Sequence, residues 1–218
     1  MRFCYRTVEF GELDIHVRTL RNTNEFADES GEAEALGIPP ASWPLFGVLW
    51  DSSIVLASMM VHRNITECRI LEVGCGIGLA SMVLNSRGAD ITATDRHPHA
   101  QAFLDHNSAL NGESPIDFEM LDWANPDESL GQFDLIIASD LLYDLEQAEP
   151  LCRFIDAHAL PVASVTLVDP GRGQAGAFGR HMGLRGFSHT RRHAKDDAAL
   201  SFGREHGPRL QIHSFERG

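Results

Sequence analysis

Apolar positions along the chain change their rhythm at about residue 69. Beyond it, candidate strands occupy 69–73, 90–95, 116–121, 133–138 and 163–168, with near-continuous apolar runs of which "FDLIIAS" is the clearest. Strands of a parallel sheet covered on both faces must look like this. Between them, 78–87, 97–110 and 145–158 repeat apolar residues at three- and four-residue intervals, which predicts helices, and "FGVLWDSSIVLASMMVHR" (46–63) does so earlier in the chain. The two ends alternate instead. "YRTVEFGELDIHVRTL" (5–20) predicts two short strands around "FGEL", and "GFSHTRRHA" (186–194) with "RLQIHSFER" (209–217) predicts a terminal hairpin. The acidic, small-residue stretch "NEFADESGEAEALGIPP" (24–40) reads as a solvated loop or short helix running to Pro39-Pro40. The strand–helix alternation predicts a doubly wound α/β domain over 41–218, preceded by an N-terminal extension of hairpin and acidic loop over 1–40 that is expected to shape substrate access.

Composition narrows what such a domain does. With 218 residues, 43% apolar and 22% charged, the chain is sized for one such domain with a sizeable core. No apolar stretch suggests a membrane span, and the start "MRFCYRTVEF" lacks the apolar core of a signal peptide, so no membrane partner is expected. Four scattered cysteines without a C-x-x-C pair suit reduced thiols in a cytoplasmic protein and argue against a disulfide framework or zinc site. A net charge of −13 disfavours nucleic acid, whose phosphates need a basic surface, and favours a cationic partner.

The chemistry concentrates in "ILEVGCGIGLA" (70–80), where Gly74, Gly76 and Gly78 follow an apolar strand that carries Glu72. Ligands of doubly wound folds sit beyond the carboxyl ends of the strands, and glycine there lets a ligand touch backbone. A dinucleotide fingerprint G-x-G-x-x-G would need glycine at residue 79, which is Leu79. The spacing G-x-G-x-G favours a ligand without a pyrophosphate and with an amino acid group near the turn. Asp95, ending the second core strand, stands where such a site places a carboxylate to accept both ribose hydroxyls. Asp122-Trp123 ends the third: a carboxylate or backbone group there can take an adenine amine, and an indole makes a flat apolar wall.

"ILEVGCGIGLA", "ITATDR", "LDW" and "FDLIIASDLLY", in this order and spacing, resemble class I (seven-β-strand) S-adenosylmethionine-dependent methyltransferases. More narrowly, Trp50 in "LFGVLWDSS", the pair Asp122-Trp123, and Asp140-Leu141-Leu142-Tyr143 resemble the marks of methyltransferase family 16, the protein-lysine-methyltransferase-like group. The resemblance covers about 43–170, and "LVDPGR" (167–172) is similar to bacterial relatives that methylate lysines on the electron-transfer flavoprotein β-subunit. It implies a Rossmann-like, seven-stranded, mainly parallel sheet with an antiparallel terminal hairpin, and S-adenosylmethionine as cofactor. It implies that Gly74, Cys75, Gly76 and Gly78 pass close to the cofactor's methionine part, with Glu72 helping to hold its ammonium. Asp95 takes the ribose, Arg96 flanks the adenine, Asp122 and Trp123 border it, Trp50 closes the methionine end, and Ser139 lines the sulfonium. Asp140 and Tyr143 are the implied catalytic pair facing the substrate nitrogen. Where relatives often carry Gly-Ala or Ala-Ala before that acid, this chain has Ala138-Ser139, still small.

The implied reaction is methyl transfer to a nitrogen of a protein side chain, lysine favoured. Histidine, a small-molecule amine and a non-catalytic cofactor-binding role stay open. His97, His99, His106 and His62 lack the spacing of a known metal site and are expected to be solvated.

Overall fold

The near-continuous runs form the middle of one seven-stranded sheet. The structure is a computed structural model that describes residues 1–124, 128–143, 147–171, 174–197, 200 and 209–218. Its strands are β3 (Arg69–Val73), β4 (Asp90–Asp95), β5 (Asp117–Met120), β6 (Phe133–Ser139), β7 (Ala159–Asp169), β8 (Ser188–His193) and β9 (Gln211–Arg217). They lie in the order β5-β4-β3-β6-β7-β9-β8. Strands β3 to β7 are parallel, while β9 runs antiparallel to both β7 and β8. This is the Rossmann-like doubly wound sheet with an antiparallel terminal hairpin that the pattern and the resemblance predict. Its order reverses at β3, between β4 and β6.

Side-chain alternation along β3 distributes the core to both faces. Ile70 joins a layer built with α2 (Asp51–His62), α3 (Leu79–Ser86) and α4 (Ala100–Leu110). Leu71 and Val73 join the other, built with α5 (Ala148–His158) and α6 (Ala175–Gly183). Glu72 shares parity with Ile70, so it points towards α3.

Two helices differ from the sequence expectation. The helix expected at 46–63 begins only at Asp51, because Leu45–Gly47 form a 3-10 turn and Val48 and Trp50 are extended. A Cβ on Gly47 would lie 2.5 Å from Leu20 Cγ, so that turn is packed tightly against the N-terminal hairpin. Pro40–His62 together is 23 residues, long and apolar enough to span a membrane, contrary to the expectation that no stretch is. In the fold it is broken by these turns, and α2 packs into the core between the hairpin and the sheet. Helix α6 was not predicted. Gly176, Gly179 and Gly183 dilute its apolar signal, yet Ala175, Phe178 and Met182 form a buried stripe.

The N-terminal strands β1 (Phe3–Phe10) and β2 (Leu13–Leu20) pair antiparallel as predicted. Their apolar residues Val8, Phe10, Ile15, Val17 and Leu20 belong to the core layer of α2 to α4. Two asparagines one turn apart, Asn107 in α4 and Asn111 at its C-cap, tie β2 to that helix. Asn111 Oδ1 accepts from His16 N–H at 2.8 Å, and buried Asn107 Oδ1 accepts from Arg18 N–H at 2.7 Å. Between the hairpin and α2, a short helix α1 (Glu32–Ala35) precedes Ile38, which is buried rather than solvated.

Candidate functional site

Four strand ends converge at the switch point. The loop after β3 turns back through Gly74, Gly76 and Gly78, all with positive φ (64°, 56° and 75°). At all three close approach adds to the conformational demand, and a Cβ on Gly78 would run into Leu104 Cδ1. A Cβ on Gly76 would meet the backbone carbonyl oxygen of Phe46 at 2.9 Å, and one on Gly74 would meet Leu141 Cδ2 at 2.5 Å. Gly78 supplies the left-handed residue that starts α3.

Asp95, at the end of β4, is joined to the middle of this loop. Its Oδ2 accepts from Gly76 N–H at 2.8 Å and its Oδ1 from His97 N–H at 2.9 Å. A carboxylate has about four lone-pair sites, so each oxygen can accept again. Burial pushes the Asp95 carboxyl above its usual value, opposed by the two N–H groups it accepts. The geometry suits a diol ligand.

A cleft of about 660 Å³ opens over these residues. Gly74, Cys75, Gly76, Asp95, Arg96, Trp123, Ser139, Asp140, Tyr143 and Trp50 line it, so ten of the thirteen sequence-predicted residues come together. Burial raises the Cys75 thiol well above its usual pKa, which keeps it protonated and unreactive. Trp50 Nε1–H donates to Leu45 O at 3.1 Å, which holds the indole against the turn before α2. Trp123 is buried, and its Nε1–H donates to Gln147 Oε1 at 2.8 Å.

Asp140 follows β6 in a left-handed conformation, φ 57°, with its N–H donating to Val168 O at 2.9 Å. A non-glycine residue held there is uncommon, and Asp and Asn tolerate it best. This aims the side chain off the sheet's end. Gln147 directly precedes α5.

The other three residues stand outside the lining. Asp122 Oδ1 accepts from Ala124 N–H at 3.0 Å, a local turn that presents Trp123. Gly78 meets Leu104 rather than the cleft. Glu72 is buried beneath the loop, where its Oε2 accepts from both the N–H (2.9 Å) and the hydroxyl of Ser81. It anchors the first turn of α3 and so steadies the glycine loop from below.

Burial pushes the Glu72 carboxyl from 4.5 up to about 7, against the two Ser81 hydrogen bonds. Because the folded value is the higher one, the stabilisation is full below about pH 4.5 and is lost as pH rises through 7. Glu72→Gln retains an acceptor but cannot titrate. Its stability relative to the parent should therefore improve between pH 5 and pH 8, by up to roughly 3 kcal/mol. Denaturant titrations of both proteins at the two pH values test this; parallel pH dependence would refute it.

Several lining residues were not read from the sequence. Ile38, Pro39 and Ser42 come from the segment before α2, Phe46 and Leu141 are unassigned positions within "LFGVLWDSS" and "FDLIIASDLLY", and Gln147 belongs to no motif. His97, expected to be solvated, is only 3% exposed. Its ring stacks on Phe46 at 3.9 Å and 15°, Phe26 meets it edge-on, and burial lowers its pKa to about 4. The ring is neutral at physiological pH and serves as an aromatic wall. Among the described residues no group of three or more metal-ligating side chains occurs.

A sheet of this order with a glycine turn and an acid at the next strand's end defines the class I methyltransferase fold. A magnesium protoporphyrin IX methyltransferase from Synechocystis, solved with S-adenosylmethionine bound, shares it with a TM-score of 0.59 at 17% identity, over 77% of this chain and 80% of that one. The sequence profile of methyltransferase family 16, described as "Lysine methyltransferase", matches residues 45–168, and the chain belongs to that family. An electron transfer flavoprotein beta subunit lysine methyltransferase of Xenopus laevis is 30% identical over 67% of this chain and 59% of its own. A magnesium-protoporphyrin O-methyltransferase of Rhodobacter capsulatus is 35% identical over 40% of this chain and 39% of its own. The chain spans about half the length of these curated relatives.

Proposed function

We propose that the chain is an S-adenosylmethionine-dependent methyltransferase acting on a lysine nitrogen of a protein substrate. The observation that carries this reading is the convergence, on one cleft, of the glycine loop, Asp95, and the pair Asp140 and Tyr143. The family membership and the named lysine methyltransferase relative support it. The cleft fits the cofactor: backbone bare of Cβ at Gly74 and Gly76, spare acceptor capacity on Asp95, and aromatic walls at Trp123 and His97.

The cofactor supplies an activated methyl on a sulfonium, so alignment is the protein's main contribution, worth up to roughly 7–11 kcal/mol. Asp95 holds the ribose and the glycine loop the methionine part. Asp140 attracts the substrate ammonium, and the Tyr143 hydroxyl accepts from the nitrogen and orients its lone pair once a proton has left to solvent. Ile38, Pro39 and Ser42 form the N-terminal wall of the cleft and restrict what enters. The −13 charge suits a basic substrate segment. The four free cysteines suit a cytoplasmic protein.

S-adenosylhomocysteine should bind in the low-micromolar range, about −8 kcal/mol, by calorimetry. Binding of NAD and none of S-adenosylhomocysteine would overturn the reading.

A further inference from the structure

One side-chain hydrogen bond in the cleft joins residues from two different loops. Gln147, directly before α5, has a helical backbone (φ −84°, ψ −17°), and its side chain makes no capping hydrogen bond to that helix. Its Oε1 instead accepts from Trp123 Nε1–H at 2.8 Å, across the cleft from one strand-end loop to another. Both residues line the cleft.

The indole carries one donor and no acceptor, and Trp123 is 4% exposed. This hydrogen bond therefore fixes which edge of the ring is turned inward and which face is left to the cleft. On the other side, the turn closed by Asp122 Oδ1 and Ala124 N–H sets the backbone of the same residue. The ring is held at both ends.

We propose that Gln147 is a positioning residue for the adenine wall: it locks the Trp123 ring in the orientation that the cofactor binds. The inference rests on the cofactor reading of the cleft. Without the acceptor, the buried indole N–H has to turn to find another partner, and the wall turns with it.

The test is S-adenosylhomocysteine affinity in five variants, three at Gln147, Trp123→Phe, and Trp123→Phe combined with Gln147→Leu, with thermal melting to follow the fold. Gln147→Leu and Gln147→Met remove the acceptor at similar volume and should weaken binding about fivefold, the worth of one buried hydrogen bond. Gln147→Glu keeps an acceptor oxygen and should stay within about twofold of the parent. Under turnover, the cofactor KM should rise in the Leu and Met variants while kcat stays near normal. In a Trp123→Phe background, which keeps a ring but has no donor, Gln147→Leu should cause no further loss. A change in melting temperature alone, with affinity intact in both the Leu and Met variants, would overturn the proposal. So would a full Gln147→Leu effect in the Trp123→Phe background. Failure of the parent protein to bind S-adenosylhomocysteine would instead overturn the cofactor reading itself.

Discussion

Asp140→Asn should lower methyl transfer at least tenfold while S-adenosylhomocysteine still binds with near-parental affinity. Each tenfold is ~1.4 kcal/mol of transition-state stabilisation, and replacing a carboxylate by an amide removes the charge that draws in an ammonium. The backbone makes Asn the informative substitution. Asp140 has φ 57°, a conformation that Asn tolerates nearly as well and Ala does not, so Asp140→Ala would mix strain with lost chemistry. Asn is also as good a capping residue as Asp, so any local turn that the Asp140 side chain closes survives the substitution. Single-turnover rates with unchanged melting temperature are the measurement. Near-normal turnover by Asp140→Asn would remove Asp140 from the catalytic machinery.

Asp95→Ala should weaken S-adenosylhomocysteine binding about 100-fold, or ~2.7 kcal/mol. Two effects combine. The ribose hydroxyls lose a charged acceptor, a bond type worth about 1.5–3 kcal/mol each. The Gly76 and His97 N–H groups, bound at 2.8 and 2.9 Å, lose theirs, which loosens the glycine loop from the end of β4. Asp95→Asn, keeping one acceptor oxygen, should lie between. Calorimetry on all three proteins checks the order; an Asp95→Ala affinity within twofold of the parent would place the ribose elsewhere.

What the sequence made legible followed from local rules. Strands buried on both faces read as near-continuous apolar runs, so β3 and β6 were placed to within a residue. The glycine turn needs positive φ at Gly74, Gly76 and Gly78, and no other residue adopts it as freely. What stayed hidden depends on packing between distant segments. The role of Glu72 is set by strand parity and by Ser81 on the neighbouring helix, which put it under the loop instead of in the cleft. His97 resembles a surface histidine until Phe26 and Phe46 close over it from elsewhere in the chain. Gln147 carries no motif at all; only the 2.8 Å contact with Trp123 singles it out. Helix α6 was masked by its glycines, and the tight start of α2 by its uninterrupted apolar run.

The central claim is catalytic transfer to a protein lysine. The most direct measurement incubates the protein with methyl-labelled S-adenosylmethionine and a lysate of its own host lacking the gene, then maps the label by peptide mass spectrometry. The account predicts a labelled protein band with the methyl on a lysine side chain, formed by the parent protein and reduced at least tenfold with Asp140→Asn. Label on a small molecule alone, or none with a protein that demonstrably binds S-adenosylhomocysteine, would contradict it.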